Sequence, residues 1–175
     1  DEVHERDLHL IAVRNDLKVF EHVHPALSPD GKFHLQHEWP AGGDYTLFAD
    51  FAPRGKGGQI ISTAYKVKGS KNAPALAEDF SLKIGELPQT GRTADVTVKF
   101  SPDMKLEPYL GAFGHLMIVS ADGKTLVHSH PVGDPRPGEL DFSVRIPSAG
   151  KYRAWLEIQS NGRKLASWQD IEAQP

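Results

Sequence analysis

A chain of 175 residues, 25 % of them charged and 39 % hydrophobic, has the make-up of an ordinary globular protein, with room for one large domain or two small ones. Its net charge of −3, with Lys and Arg scattered, offers no basic stripe for nucleic acid, and no apolar run reaches the roughly 20 residues of a membrane-spanning helix. Cysteine is absent, which excludes thiolate metal sites, disulfides and cysteine nucleophiles.

The chain opens on Asp1-Glu2-Val3-His4-Glu5-Arg6, without the basic and apolar leader of an export signal, so any such signal is expected to have been removed. Strand signals then dominate. Residues 9–13, 19–24, 33–39 and 45–51 are short, rich in β-branched or aromatic side chains, and separated by turn chemistry such as Asn15-Asp16 and Pro29-Asp30-Gly31. Phe33, Leu35 and Trp39 alternate with His34, Gln36 and Glu38, the pattern of a half-buried strand. Residues 67–76 (Val-Lys-Gly-Ser-Lys-Asn-Ala-Pro-Ala-Leu) look like a linker. Strands are predicted next at 80–84 and 94–100, and Leu140, Phe142, Val144 and Ile146 alternate with polar residues in another. No segment carries a capped 3.6-residue apolar period, and thirteen prolines and sixteen glycines argue against long helices.

Two stretches of this chain align without a gap. His9-Leu-Ile-Ala-Val-Arg-Asn-Asp-Leu-Lys-Val-Phe-Glu-His22-Val-His24-Pro25 matches His115-Leu-Met-Ile-Val-Ser-Ala-Asp-Gly-Lys-Thr-Leu-Val-His128-Ser-His130-Pro131 at 8 of 17 positions, including all three histidines, the proline, Asp16/Asp122 and Lys18/Lys124. Further on, Pro40-Ala-Gly-Gly43-Asp-Tyr45-Thr-Leu-Phe48 matches Pro147-Ser-Ala-Gly150-Lys-Tyr152-Arg-Ala-Trp155. Such a repeat predicts two tandem domains. The fold class is therefore all-β: two tandem Ig-like or cupredoxin-like β-sandwich domains, at 1–68 and 77–175, with a linker at 69–76. The first has no counterpart of the strands that precede His115, so it is expected to lack them, to borrow them from elsewhere, or to be truncated.

In a strand, residues i and i+2 share a face, so His22 projects with His24 and His128 with His130. The thirteen-residue step back to His9 or His115 crosses a hairpin. A loop of two or four residues makes the cross-strand pairing sum odd and puts the third histidine on the same face; a loop of three or five puts it on the other. Asn15-Asp16 and Asp122-Gly123 favour the first kind. Ile11, Val13 and Phe20, and in the second half Met117, Val119 and Leu126, then share the histidine face. Three neutral imidazoles beside an apolar wall suit copper, as Cu(I) or Cu(II), or zinc. The candidate metal ligands are His9, His22, His24, His115, His128 and His130. His4, near the start, and Met117, whose soft thioether would favour Cu(I), are lesser candidates. His34 and His37 fall opposite Asp141 and Val144 in the repeat, do not recur, and are expected to be structural or incidental. Tyr45, Phe48, Tyr152 and Trp155 fit core packing, with the tyrosine hydroxyls reaching backbone.

Three functions fit this pattern. The first is a metal-binding module that buffers, senses or hands over copper. The second is a zinc hydrolase or lyase, since three histidines with an open position activate water; against it, the acidic Glu21 is replaced by Val127 in the repeat. No catalytic residue is assigned. The third is an interaction module in which the histidines only pack. A site shared between the halves and a homodimer both remain open, as does the metal.

The His-Leu-Ile-x-Val-x-x-Asp-Leu-x-x-Phe-x-His-x-His-Pro run, with Pro-Tyr-Leu-Gly-Ala-Phe-Gly-His-Leu-Met-Ile-Val at 108–119, resembles bacterial extracytoplasmic proteins of Ig-like or cupredoxin-like type that accompany copper or heavy-metal resistance. The resemblance implies a place in the periplasm or at the cell surface and a metal-efflux or metal-delivery protein as partner. The chain lacks the cysteine of a blue-copper site, which argues against electron transfer of that type.

Overall fold

The computed structural model describes residues 7–175; His4 lies outside the described residues. These residues form fourteen strands and no helix. The chain divides into two compact units, one of Asp1–Leu76 with Asp122–Lys124, the other of Ala77–Ala121 with Thr125–Pro175.

Unit 1 contains β1 (His9–Arg14), β2 (Phe20–Val23), β3 (Ala26–Leu27), β4 (Phe33–His34), β5 (Gly43–Phe51) and β6 (Gln59–Val67). Four of them make one antiparallel sheet in the order β2-β1-β5-β6, and β3 pairs only with β4. Ala12, Val19, Ala41 and Tyr45 form a small core against Trp39, Leu47, Val67 and Ala73. The Tyr45 hydroxyl donates to the Ala41 carbonyl at 2.7 Å, as expected for a tyrosine that closes the turn into its strand. That turn is tight: Gly42 N donates to Ser70 O at 2.6 Å, and a Cβ on Gly42 would stand 2.5 Å from the Gly69 carbonyl oxygen. Ser70 and Ala73, which sequence places in a linker, are therefore packed onto this unit.

Residues 33–39 behave differently from their alternating pattern. Only Phe33 and His34 are in a strand, and Phe33 and Leu35 are exposed. The pattern is real, but β4 meets β3 over two residue pairs alone, so no neighbouring strand extends it. The nine-residue β6 was not marked by alternation, because Ile60 and Ile61 are adjacent and point to opposite faces.

Unit 2 contains β7 (Lys83–Ile84), β8 (Thr93–Lys99), β9 (Leu106–Glu107), β10 (His115–Ser120), β11 (Leu126–Ser129), β12 (Glu139–Arg145), β13 (Gly150–Ser160) and β14 (Arg163–Ala173). One sheet runs β11-β10-β13-β14, with β9 added to β13, and a second runs β12-β8-β7. Their facing sides share one core. Leu116, Ile118, Tyr152, Ala154, Leu156 and Ile158 come from the first sheet; Val96, Val98, Leu140, Phe142 and Val144 come from the second. Unit 2 is thus a β-sandwich, and the alternation read in β12 is the alternation of its buried residues. Tyr152 repeats the Tyr45 device, donating to Ser148 O at 2.8 Å.

On the solvent side of β12, Asp141 accepts from Thr97 Oγ1 at 2.7 Å and from Arg136 Nη2 at 3.1 Å. The Arg136 and Thr97 bonds, with the charge of Arg136, outweigh desolvation and hold the Asp141 carboxyl down at about 2. Its folded value lies below its ordinary one of 3.8, so the stability it contributes is fully present above that value and is lost as pH falls towards 2. Denaturant midpoints measured across this range should fall less steeply in Asp141→Asn than in the wild type; parallel slopes would show that the carboxylate adds nothing.

Candidate metal centre

Both histidine hairpins have the pairing that brings three imidazoles to one face. In unit 1, Ile11 pairs with His22 and Val13 with Phe20, so the odd sum holds and His9 falls opposite His24. Arg14 N donates to Val19 O at 3.0 Å, which leaves residues 15–18 as the loop. In unit 2, Met117 pairs with His128 and Val119 with Leu126, which sets His115 opposite His130. Ser120 N donates to Thr125 O at 3.0 Å and closes the matching loop at 121–124.

The repeated aspartate and lysine belong to the loop. Asp16 Oδ1 accepts from Lys18 N at 3.0 Å, and Asp122 Oδ1 accepts from Lys124 N at 3.1 Å. Each loop also has one left-handed residue at the same place, Leu17 (φ 57°) and Gly123 (φ 68°). In unit 1 the loop is further braced by Arg14, which donates to both Asp16 oxygens at 2.9 and 2.8 Å. Partial burial works to raise the Asp16 carboxyl, but the bonds from Arg14 and the Lys18 amide outweigh it and hold the group below the usual carboxylate range.

Within unit 1, His9 Nδ1 lies 3.0 Å from His22 Nε2 and 3.1 Å from His24 Nε2. His9 is fully buried, His22 is 3 % exposed and His24 is half-buried. Within unit 2, His130 Nε2 lies 2.8 Å from His115 Nδ1, and His115 and His128 offer nitrogens within 4.8 Å of each other. His115 is fully buried, with His128 and His130 half-buried.

The ring arrangement recurs. His9 and His22 are inclined at 26°, His9 and His24 at 82°, and His22 and His24 at 60°. The matching angles in unit 2 are 28°, 84° and 59°. Nitrogens held about 2.0–2.1 Å from a tetrahedral ion are about 3.3 Å apart. The observed contacts are a few tenths of an ångström shorter, so a small outward movement of the rings would admit an ion. A ring nitrogen has either one proton or one lone pair, so one N–H···N bond joins two nitrogens, whereas a cation can engage three.

His115 has a fixed tautomer. Its Nε2 is 3.0 Å from the Tyr109 carbonyl oxygen, which can only accept, so Nε2 carries the hydrogen and Nδ1 turns its lone pair towards His130. The carbonyl is presented by a turn in which Tyr109 and Ala112 exchange backbone bonds at 2.8 and 3.2 Å. A backbone carbonyl behind a histidine is the usual way to orient a metal ligand. This gives a physical role to the 108–119 segment.

Met117 is fully buried and pairs across the sheet with His128 on one side and Trp155 on the other, so it shares the histidine face. His34 is exposed in β4. His37 stacks edge-on to Trp39 with 4.9 Å between ring centres and lies 3.8 Å from Glu21 Oε2. Glu21 pairs with Ala12, on the face of β2 opposite His22, so His37 is apart from the trio.

Two acidic residues that the histidine pattern does not reveal stand beside the trios. Asp50 is the register partner of His9, and Glu157 is the register partner of His115, each on the histidine face of the neighbouring strand. Glu157 is 3 % exposed and accepts from Lys164 Nζ at 3.1 Å. Their signal is a shared step of five residues after the repeated tyrosines, Tyr45 to Asp50 and Tyr152 to Glu157.

Tandem all-β units with a duplicated three-histidine hairpin are the class that fold and site define. The chain belongs to the family described as Domain of unknown function (DUF8832), which matches residues 1–69 and 76–174. No curated protein matches it. Among solved structures it is similar to a tetra-tandem repeat in the extending region of a large adhesion protein, at 13 % identity and a TM-score of 0.39, over 99 % of this chain and 43 % of that one. The chain thus spans under half the length of that protein chain.

Proposed function

We propose that the protein binds a late first-row transition-metal ion, copper foremost and zinc as the alternative, through His9, His22 and His24 and through His115, His128 and His130. The observation that carries this reading is the recurrence of the same three-ring geometry, with angles agreeing within 2° between the units. Packing alone sets no such requirement on three titratable rings, whereas convergence of neutral nitrogen donors is what a metal centre needs. Bound ion would give the site a positive charge beside Asp50 and Glu157, which supports a part for these carboxylates in balancing charge.

Buffering or delivery of the ion accounts for the site better than hydrolysis. A zinc hydrolase needs a general base at the open position, and the buried carboxylate of unit 2 is already engaged by Lys164. The resemblance to copper-resistance accessories adds the periplasm or cell surface as the place of action, and an efflux or delivery protein as the exchange partner.

Imidazoles bind metal only when neutral, so affinity measured on untagged protein should fall as pH drops below about 6. Binding that persists unchanged at about pH 4.5, where free imidazole is protonated, would sink the reading. Met117 adds a soft sulfur on the histidine face of unit 2, where unit 1 has Ile11. Met117→Ile should therefore weaken Cu(I) more than Zn(II) in competition titrations. Equal loss for both ions would assign Met117 to packing.

A further inference from the structure

The strand β6 closes one side of the unit 1 sheet, and none of the described residues pairs with its outer edge. All but the last of its nine residues are exposed, with Ile60 at 41 %, Ile61 at 58 % and Tyr65 at 46 %. Long regular edges are normally blunted by proline, bulges or several charges. Residues 59–67 contain no proline and one charged side chain, Lys66.

The repeat shows what an equivalent edge looks like when covered. Register with the repeated tyrosines (Tyr45 to Tyr65, Tyr152 to Ile171) makes β14 the counterpart of β6. Along β14, Asp79 N donates to Ala166 O at 3.0 Å, Asp79 Oδ2 accepts from Ala166 N at 2.8 Å, and Phe80 N donates to Ser167 Oγ at 3.0 Å. Ile84 N then donates to the Gln169 side chain at 2.8 Å. The covered Ser167 is 1 % exposed; its counterpart in unit 1 is Ile61.

We propose that β6 pairs antiparallel with β6 of a second copy of this chain, about a twofold axis at Thr63. In that register, all nine residues find partners. Ile61 lies opposite Tyr65 of the other copy, and Tyr65 opposite its Ile61, on the face where Tyr65 already meets Trp39 with 5.4 Å between ring centres. Aromatic and β-branched residues are favourable cross-strand neighbours. Lys66 lies opposite Ile60, so no like charges face each other. A twofold interface of this kind uses one patch twice and closes without extending into a fibre.

Sedimentation equilibrium of the 175-residue chain with EDTA present excludes association through bound metal. The expected mass is twice the 19.3 kDa of one chain. Thr63→Lys sets two cations face to face on the axis at an exposed position and should return the single-chain mass, as should Thr63→Glu. An equimolar mixture of the two variants should recover the doubled mass, because lysine then meets glutamate. A wild-type mass of one chain up to about 1 mM would overturn the proposal. So would a doubled mass that survives Thr63→Lys, since it would come from another surface.

Discussion

Replacing His115 by alanine is expected to weaken metal binding at the unit 2 trio by more than the roughly 10–100-fold that loss of an orienting partner costs. His115 is fully buried, its Nε2–H is held by Tyr109 O, and its Nδ1 faces His130. It is therefore the histidine of the trio whose direction is most fully determined. His130→Ala removes a half-buried ring at the open side and should weaken metal binding with a smaller stability loss. His34→Ala, in an exposed strand, should change neither. Isothermal titration with each ion, beside denaturant unfolding, separates these outcomes. If His34→Ala and His115→Ala had equal effects on affinity, the trio would not be the site.

Phe142→Ala is expected to destabilise unit 2 by about 3–5 kcal/mol, the range for emptying a fully buried phenylalanine position. Phe142 has no exposed surface, pairs with Val96 in β8, and forms an isolated bridge with Pro131. The last contact ties the core to the site, because Pro131 follows His130. Two neighbouring bonds secure the same stretch: Ser129 Oγ donates to Ser143 O at 2.9 Å, and Val132 N donates to Asp141 O at 2.8 Å. The variant should lose metal affinity together with stability, while Phe142→Leu should retain most of both. A loss below about 1 kcal/mol would mean that the core closes over the gap and that the Phe142 ring is not what holds the unit together.

The site was legible in the sequence to the extent that strand geometry is periodic. The step of thirteen residues from His9 to His22, with turn residues between, admits few loops, and the four-residue one keeps all three rings together. The identity of Asp16 and Asp122 was visible too, but its cause, the bond to the Lys18 or Lys124 amide, is a property of the folded loop. Asp50 and Glu157 lie just past the second repeated stretch, which ends at Phe48 and Trp155, and register across a nonadjacent strand cannot be counted along the chain. The fold was legible where alternation coincided with burial, as in β12, and misleading where it did not, as at 33–39. Alternation states which residues share a face; only a neighbouring strand makes that face buried. Of the strands before His115, β7 and β8 form the second sheet of unit 2 with β12, whereas unit 1 has a four-stranded sheet and a two-stranded hairpin.

The most direct test of the account is metal content per chain in wild-type protein, His22→Ala and His128→Ala, each purified without a histidine tag and equilibrated with copper or zinc at neutral pH. The wild type should retain metal after dialysis, and each substitution should lower the amount retained. A wild type that retains none, or variants that retain as much as the wild type, would contradict this and leave the duplicated histidines as packing.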